Sequence, residues 1–80
     1  MQQQARFQVY GNRHGQWFWR LKAANGKTIA DGAEAYASAS NARRAVRRTS
    51  EIVRGVLAPN GVYLDTLSRG GKVVATEKLP

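Results

Sequence analysis

Arg43, Arg44, Arg47, Arg48 and Arg54 crowd into one short stretch, and Glu51 is the single acid among them. A guanidinium carries a planar fork of donors that matches phosphate and carboxylate oxygens two at a time, so such a cluster suits a polyanion. A second basic set, Arg20 and Lys22, follows the aromatic Phe18, and interleaved rings and cations suit the stacking of bases beside a phosphate backbone. The candidate polyanion-binding residues are therefore Arg43, Arg44, Arg47, Arg48, Arg20 and Lys22. A plainer reading stands beside this one. A helix of small residues needs a soluble outer face, and Arg47 supports Glu51 at i,i+4 by about 0.2–0.5 kcal/mol.

Other chemistries find less support. The acids, at positions 31, 34, 51, 65 and 77, show no paired spacing. His14, the one histidine, sits in a glycine-flanked loop with no acid or nucleophile nearby, and there is no cysteine, which excludes disulfides and thiolate metal sites. No catalytic, cofactor-binding or metal-ligating residue is assigned, and the expectation is a protein that is not an enzyme.

Thirteen Lys and Arg against five Asp and Glu give a net charge of +8 over 80 residues. Such a field attracts nucleic acid, anionic lipid or an acidic protein. The polar start, Met1-Gln2-Gln3-Gln4, is no signal peptide, and no apolar run approaches the length of a membrane span. The helix stripe is Ala and Val rather than the bulky residues that hold a helix on a bilayer. A cytoplasmic protein without a membrane partner is expected.

The elements that must position these residues begin with a hairpin. Asn25-Gly26 lies between two β-favouring runs, and a type I′ turn would need positive φ at both residues. A two-residue loop then sets Leu21 opposite Ala30 and Arg20 opposite Asp31. Alternation places Trp17, Trp19, Leu21 and Ala23 on a core face with Thr28 and Ala30, and Phe18, Arg20, Lys22, Lys27, Ile29 and Asp31 on the other. Ile29 fits that division least well. Before the hairpin, residues 6–10 alternate, with Phe7 and Val9 on one face and Gln8 and Tyr10 on the other, so three strands form a meander.

The run from Trp17 to Ala30 resembles the signature of the YegP-like family, small bacterial and archaeal domains of unknown function. Phe7-Gln8-Val9-Tyr10 corresponds to the family's first strand. Gly15, Trp17, Trp19 through Gly26, Ile29 and Ala30 match its core motif, and Glu34 and Tyr36 match the approach to its helix. Phe18 replaces a usual Arg, Ala33 and Ala35 stand where glycines are common, and Ala39 stands where a Lys often follows the serines. The resemblance covers about residues 6–49. It implies β-β-β-α-β units that come in pairs, share one sheet and exchange their C-terminal strands.

A helix is predicted over residues 39–56. Ser38 or Ser40 caps it, and Gly55 or the Pro59-Asn60-Gly61 run stops it. Ala42, Ala45, Val46, Thr49, Ile52, Val53 and Val56 make one apolar stripe, which the arginines avoid. Residues 62–67 and 72–76 read as two further strands around a turn at 68–71, with no register that puts every apolar residue on one face. Gly71-Lys72-Val73-Val74-Ala75 echoes Gly26-Lys27-Thr28-Ile29-Ala30, either as the stub of a second copy or by chance.

The fold class is thus α+β, an antiparallel meander packed on one helix in the order β-β-β-α-β(β). Residues 1–5 are expected to be a disordered tail, 6–57 the YegP-like core, and 58–80 a strand segment that pairs with a partner subunit. A lone small core leaves little surface on which to bury the last segment, and meander edges invite pairing. The functional expectation is a small dimeric binding or interaction module. The alternative is a nucleic-acid-associated protein using the arginine face of the helix.

Overall fold

The computed structural model of the chain describes residues 5–23, 25–32, 34–57, 62–68 and 70–79, with helix side chains through Ile52. Strands β1 (Arg6–Gly11), β2 (Trp17–Lys22) and β3 (Thr28–Asp31) precede helix α1 (Ala39–Leu57), and β4 (Val62–Leu67) and β5 (Val73–Leu79) follow it. The fold is α+β: one five-stranded sheet, in the order β3-β2-β1-β4-β5, with a single helix on one face.

The expected meander forms, since β1–β2 and β2–β3 are both antiparallel. The sheet as a whole is mixed rather than antiparallel, because β4 lies parallel to β1. The helix is the physical reason. It carries the chain back along the sheet from β3, and a helical crossover returns the next strand in the direction of the last.

The first hairpin departs from the expected turn. Gly26 has φ +87°, but no described non-glycine residue has positive φ, so a type I′ turn at Asn25-Gly26 is ruled out. The Gly26 N–H donates to the Ala23 carbonyl (2.9 Å), and the Ala23 N–H donates to that of Lys27 (2.8 Å). The loop that joins Ala23 to Lys27 is therefore longer than two residues, with Gly26 in the left-handed region. A bulge then corrects the register. Lys22 pairs with Thr28 but Leu21 with Ala30, so Ile29 has no opposite number and Arg20 still meets Asp31 as the sequence predicts.

The β4–β5 hairpin repeats this construction. Gly71 has φ +86°, its N–H donates to the Ser68 carbonyl (2.9 Å), and the Ser68 N–H donates to that of Lys72 (2.7 Å). Leu67 pairs with Val73 and Thr66 with Ala75, leaving Val74 where Ile29 stands in the first hairpin. The two hairpins flank β1 with β2 and β4 running in opposite directions. The echo in sequence is an echo in hydrogen bonding.

The core is Phe7, Val9, Trp19, Leu21, Val62, Leu64 and Leu79 from the sheet under Ala42 and Val46 from the helix. Small helix residues let α1 sit close to the sheet. Ser38 is the cap, its Oγ accepting from the Asn41 N–H at 3.2 Å. Two expectations fail. Thr28 pairs with Lys22 and so lies on the helix-free face, and Ala30 is exposed because β3 is an edge strand beyond the cover of the helix. Ile52 is 80% exposed, since it falls at the margin of the stripe, and Ser50 is buried instead. The helix passes Gly55, the first of the two stops that the sequence offers, and runs on to Leu57. The side chains of Val53 and Val56, the run 59–61 and most of the expected tail lie outside the described residues.

Residues after β3 close over the core edge. The Gly32 N–H donates to the Trp19 carbonyl (3.0 Å), and Trp17 and Tyr36 exchange backbone hydrogen bonds of 2.8 and 2.9 Å. A Cβ at Gly32 would lie 2.4 Å from Trp19 Nε1. Only glycine lets the backbone pass so close to that buried indole.

Candidate nucleic-acid interface

The structure sorts the six candidate cations into three places. Arg43 and Arg47 stand on the helix flank towards β5, where Arg47 Nη2 pairs with Glu77 Oε1 (2.9 Å) and Arg43 Nη2 reaches Ser40 Oγ (3.2 Å). The Arg47–Glu77 pair is exposed at both ends and is worth about 0.2–1 kcal/mol. Arg44 and Arg48 stand on the opposite flank, lining an open cleft of about 470 Å³ with Glu34, Tyr36, Asn41 and Thr49. Arg20 and Lys22 project from the sheet face that the helix does not cover. No single surface gathers all six.

On that helix-free face the strand pairings assemble rows. Lys22 of β2, Arg6 of β1, Tyr63 of β4 and Lys78 of β5 stand directly opposite one another in sequence across the sheet. They span three strand spacings, about 14 Å. In the next row come Asp31, Arg20, Gln8, Asp65 and Thr76. Beyond it Phe18 faces Tyr10. Their rings stack with centroids 5.8 Å apart and planes 27° apart.

Hydrogen bonds fix two of these cations, Arg6 and Arg20, in place. Arg6 Nε and Nη2 each donate to a carboxylate oxygen of Asp65 at 2.8 Å, and the Arg6 guanidinium lies 4.7 Å over the Tyr63 ring. Asp65 is buried and accepts a third bond from Thr76 Oγ1 (2.6 Å). The Arg6 hydrogen bonds, opposed by desolvation and assisted by Thr76, hold the Asp65 carboxyl below its ordinary range. Arg20 Nε donates to Gln8 Oε1 (2.7 Å), and its guanidinium lies 4.6 Å over Tyr10. Asp65 thus neutralises Arg6 and leaves Arg20, Lys22 and Lys78 against Asp31.

Sequence reasoning found Phe18, Arg20 and Lys22 but missed Arg6, Tyr10, Tyr63 and Lys78 as members of this surface. Alternation along residues 6–10 already puts Arg6 with Gln8 and Tyr10. Tyr63 and Lys78 gave no local signal, because their place depends on the pairing of β4 with β1. His14 is exposed, its N–H bonded to Asn12 Oδ1 at 2.9 Å in the β1–β2 loop. Among the described residues no three His, Asp or Glu side chains come together to hold a metal ion, and no described helix is long and apolar enough to cross a membrane.

Comparison with known proteins places this geometry in a family of open function. Residues 12–52 match the family described as a domain of unknown function, DUF1508, and the chain belongs to that family. It is 48% identical over 40 residues to UPF0339 proteins of Neisseria meningitidis, one from serogroup B strain MC58 and one from serogroup A strain Z2491. Each alignment covers 50% of this chain and 70% of the relative. No solved structure matches. The family match and the YegP-like resemblance, which begins earlier at about residue 6, overlap across the β2–β3 hairpin and most of α1. Arg6, Tyr10, Tyr63 and Lys78 lie outside the matched residues.

Proposed function

We propose that the protein is a small binding module, assembled as a homodimer, whose helix-free sheet face engages a polyanion. The row of Lys22, Arg6, Tyr63 and Lys78 across four strands is the observation that carries this reading. Cations mounted on paired strands need little ordering on binding. The net charge of +8 acts in the same direction.

Titrating the isotope-labelled protein with a short oligonucleotide or a heparin oligosaccharide tests the site. Amide shifts should concentrate on β1, β2, β4 and β5, and log affinity should fall linearly with log salt. Replacing Lys22 and Lys78 together by Gln should lower the slope by about 1.5, one released counterion for each lysine. Shifts confined to α1, abolished by Gln at Arg43, Arg44, Arg47 and Arg48, would return the site to the helix. Binding of an acidic peptide but of neither polyanion would assign the face to a protein partner.

The dimer has its own support. β3 and β5 are sheet edges with unpaired backbone groups, and Val73 and Val74 on β5 are 55% and 63% exposed. The family resemblance implies exchange of C-terminal strands, in which β4 would make its parallel pairing with β1 of the partner. The linker 58–61 that would carry the exchange lies outside the described residues. Light scattering should give twice the 8.8 kDa chain mass, with thermal stability rising with concentration. A monomer mass throughout the micromolar range would overturn the dimer.

A further inference from the structure

Resting on the polyanion reading of the sheet face, we infer that its ligand is single-stranded nucleic acid, bound by stacking bases on Tyr10 and Phe18. Cations alone would serve a sulfated sugar, an acidic protein or a duplex equally well. This face also carries aromatic surface, and that is what separates the candidates. Tyr10 and Phe18 stand opposite each other on β1 and β2 and stack as one platform. Both are half-buried on a side of the sheet that the helix leaves open. Every base has a π-face, so a ring platform accepts bases without demanding a sequence.

The arginines lie over ring faces and add guanidinium planes to the surface that a base meets. The Arg20 guanidinium lies 4.6 Å over Tyr10 and the Arg6 guanidinium 4.7 Å over Tyr63. Guanidinium planes stack on bases as rings do, and each arginine is held in place by a side-chain acceptor, Gln8 for Arg20 and Asp65 for Arg6. From Phe18 to Lys22 the strand advances four residues, about 13 Å. A chain lying over the face therefore meets rings at one end and the Lys22–Lys78 row at the other, so more than one nucleotide is engaged. A duplex hides its bases inside, and a broad sheet face cannot follow them into a groove. Unstacked bases of a single strand can turn onto the rings.

Anisotropy titrations at one fixed salt concentration test this with three labelled probes: a short oligothymidylate, a duplex of equal length and a heparin oligosaccharide. The single strand should bind tightest. Tyr10→Leu and Phe18→Leu should each weaken it about fivefold or more while leaving the salt slope and heparin affinity unchanged. Tyr10→Phe keeps the ring and should keep the affinity, which separates stacking from a general loss of structure. Equal affinity for single strand and duplex, or full affinity in both Leu variants, would overturn stacking while leaving the polyanion reading intact. Failure of all three probes to bind would overturn both.

Discussion

Phe7→Ala will remove about 3–5 kcal/mol of stability, the cost of truncating a fully buried aromatic ring. An 80-residue domain at about 0.05–0.15 kcal/mol per residue holds roughly 4–12 kcal/mol in all, so this one change consumes a large share. The position explains the size of the effect. Phe7 is 0% exposed on β1, the middle strand of the sheet, opposite Leu21 on one side and Leu64 on the other. Its ring meets Trp19 edge-on at 5.7 Å and 64°. The helix residues of this core, Ala42 and Val46, are too short to fill the space that the ring would leave. Urea denaturation followed by tryptophan fluorescence reads the change. A loss below about 1 kcal/mol would mean that α1 does not press on β1 as described.

Asp65→Asn should destabilise the protein and at the same time strengthen its hold on a polyanion. The substitution keeps the shape but removes the charge that receives both Arg6 hydrogen bonds. A buried charged pair that loses one partner costs about 3–5 kcal/mol. Here water reaches the Arg6 side chain, which is 42% exposed, and the expected loss falls to about 1–2 kcal/mol. The acid dependence has a definite sign. Asp65 has its carboxyl pKa lowered in the folded state, chiefly by Arg6, so its contribution is present above the unfolded carboxylate pKa of about 4. It is lost as pH falls through the folded value. The stability gap between wild type and D65N should therefore be full near neutrality and close below about pH 4. Arg6, released from its acceptor, adds a cation to the row with Lys22 and Lys78. Polyanion affinity should rise, and the salt slope should steepen by about 0.7–0.9. Unchanged affinity together with a normal fold would place Arg6 outside the binding face.

Much of the fold was legible because its signals are local. Period-two alternation put Phe7 and Val9 on one face, which the structure shows to be the core side, and Gln8 and Tyr10 on the other. Period 3.6 found α1 to within a residue, and the serines at 38 and 40 announced its start, of which Ser38 is the cap. Arg20 does meet Asp31, but by two departures that cancel, a loop one residue longer than expected and a bulge at Ile29. A sequence pattern records the sum of such offsets and not the offsets themselves. Ile52 misled because the stripe margin is apolar in sequence, and whether a margin is covered depends on the width of the sheet beneath it.

By itself the sequence determined an α+β chain with a meander, one amphipathic helix, an excess of cations and membership of a family recognisable from Trp17 to Ala30. It also placed Phe18, Arg20 and Lys22 on a shared strand face. Tertiary structure alone decided that β4 enters beside β1, and with it that Tyr63 and Lys78 join Arg6 and Lys22 in one row. It likewise decided that Arg47 meets Glu77 of β5 while Arg44 and Arg48 line the cleft with Glu34 and Tyr36. The reason is the range of the interactions. Alternation and capping act over a few residues, while a row across a sheet is set by backbone pairing between segments more than fifty positions apart, which no local pattern encodes.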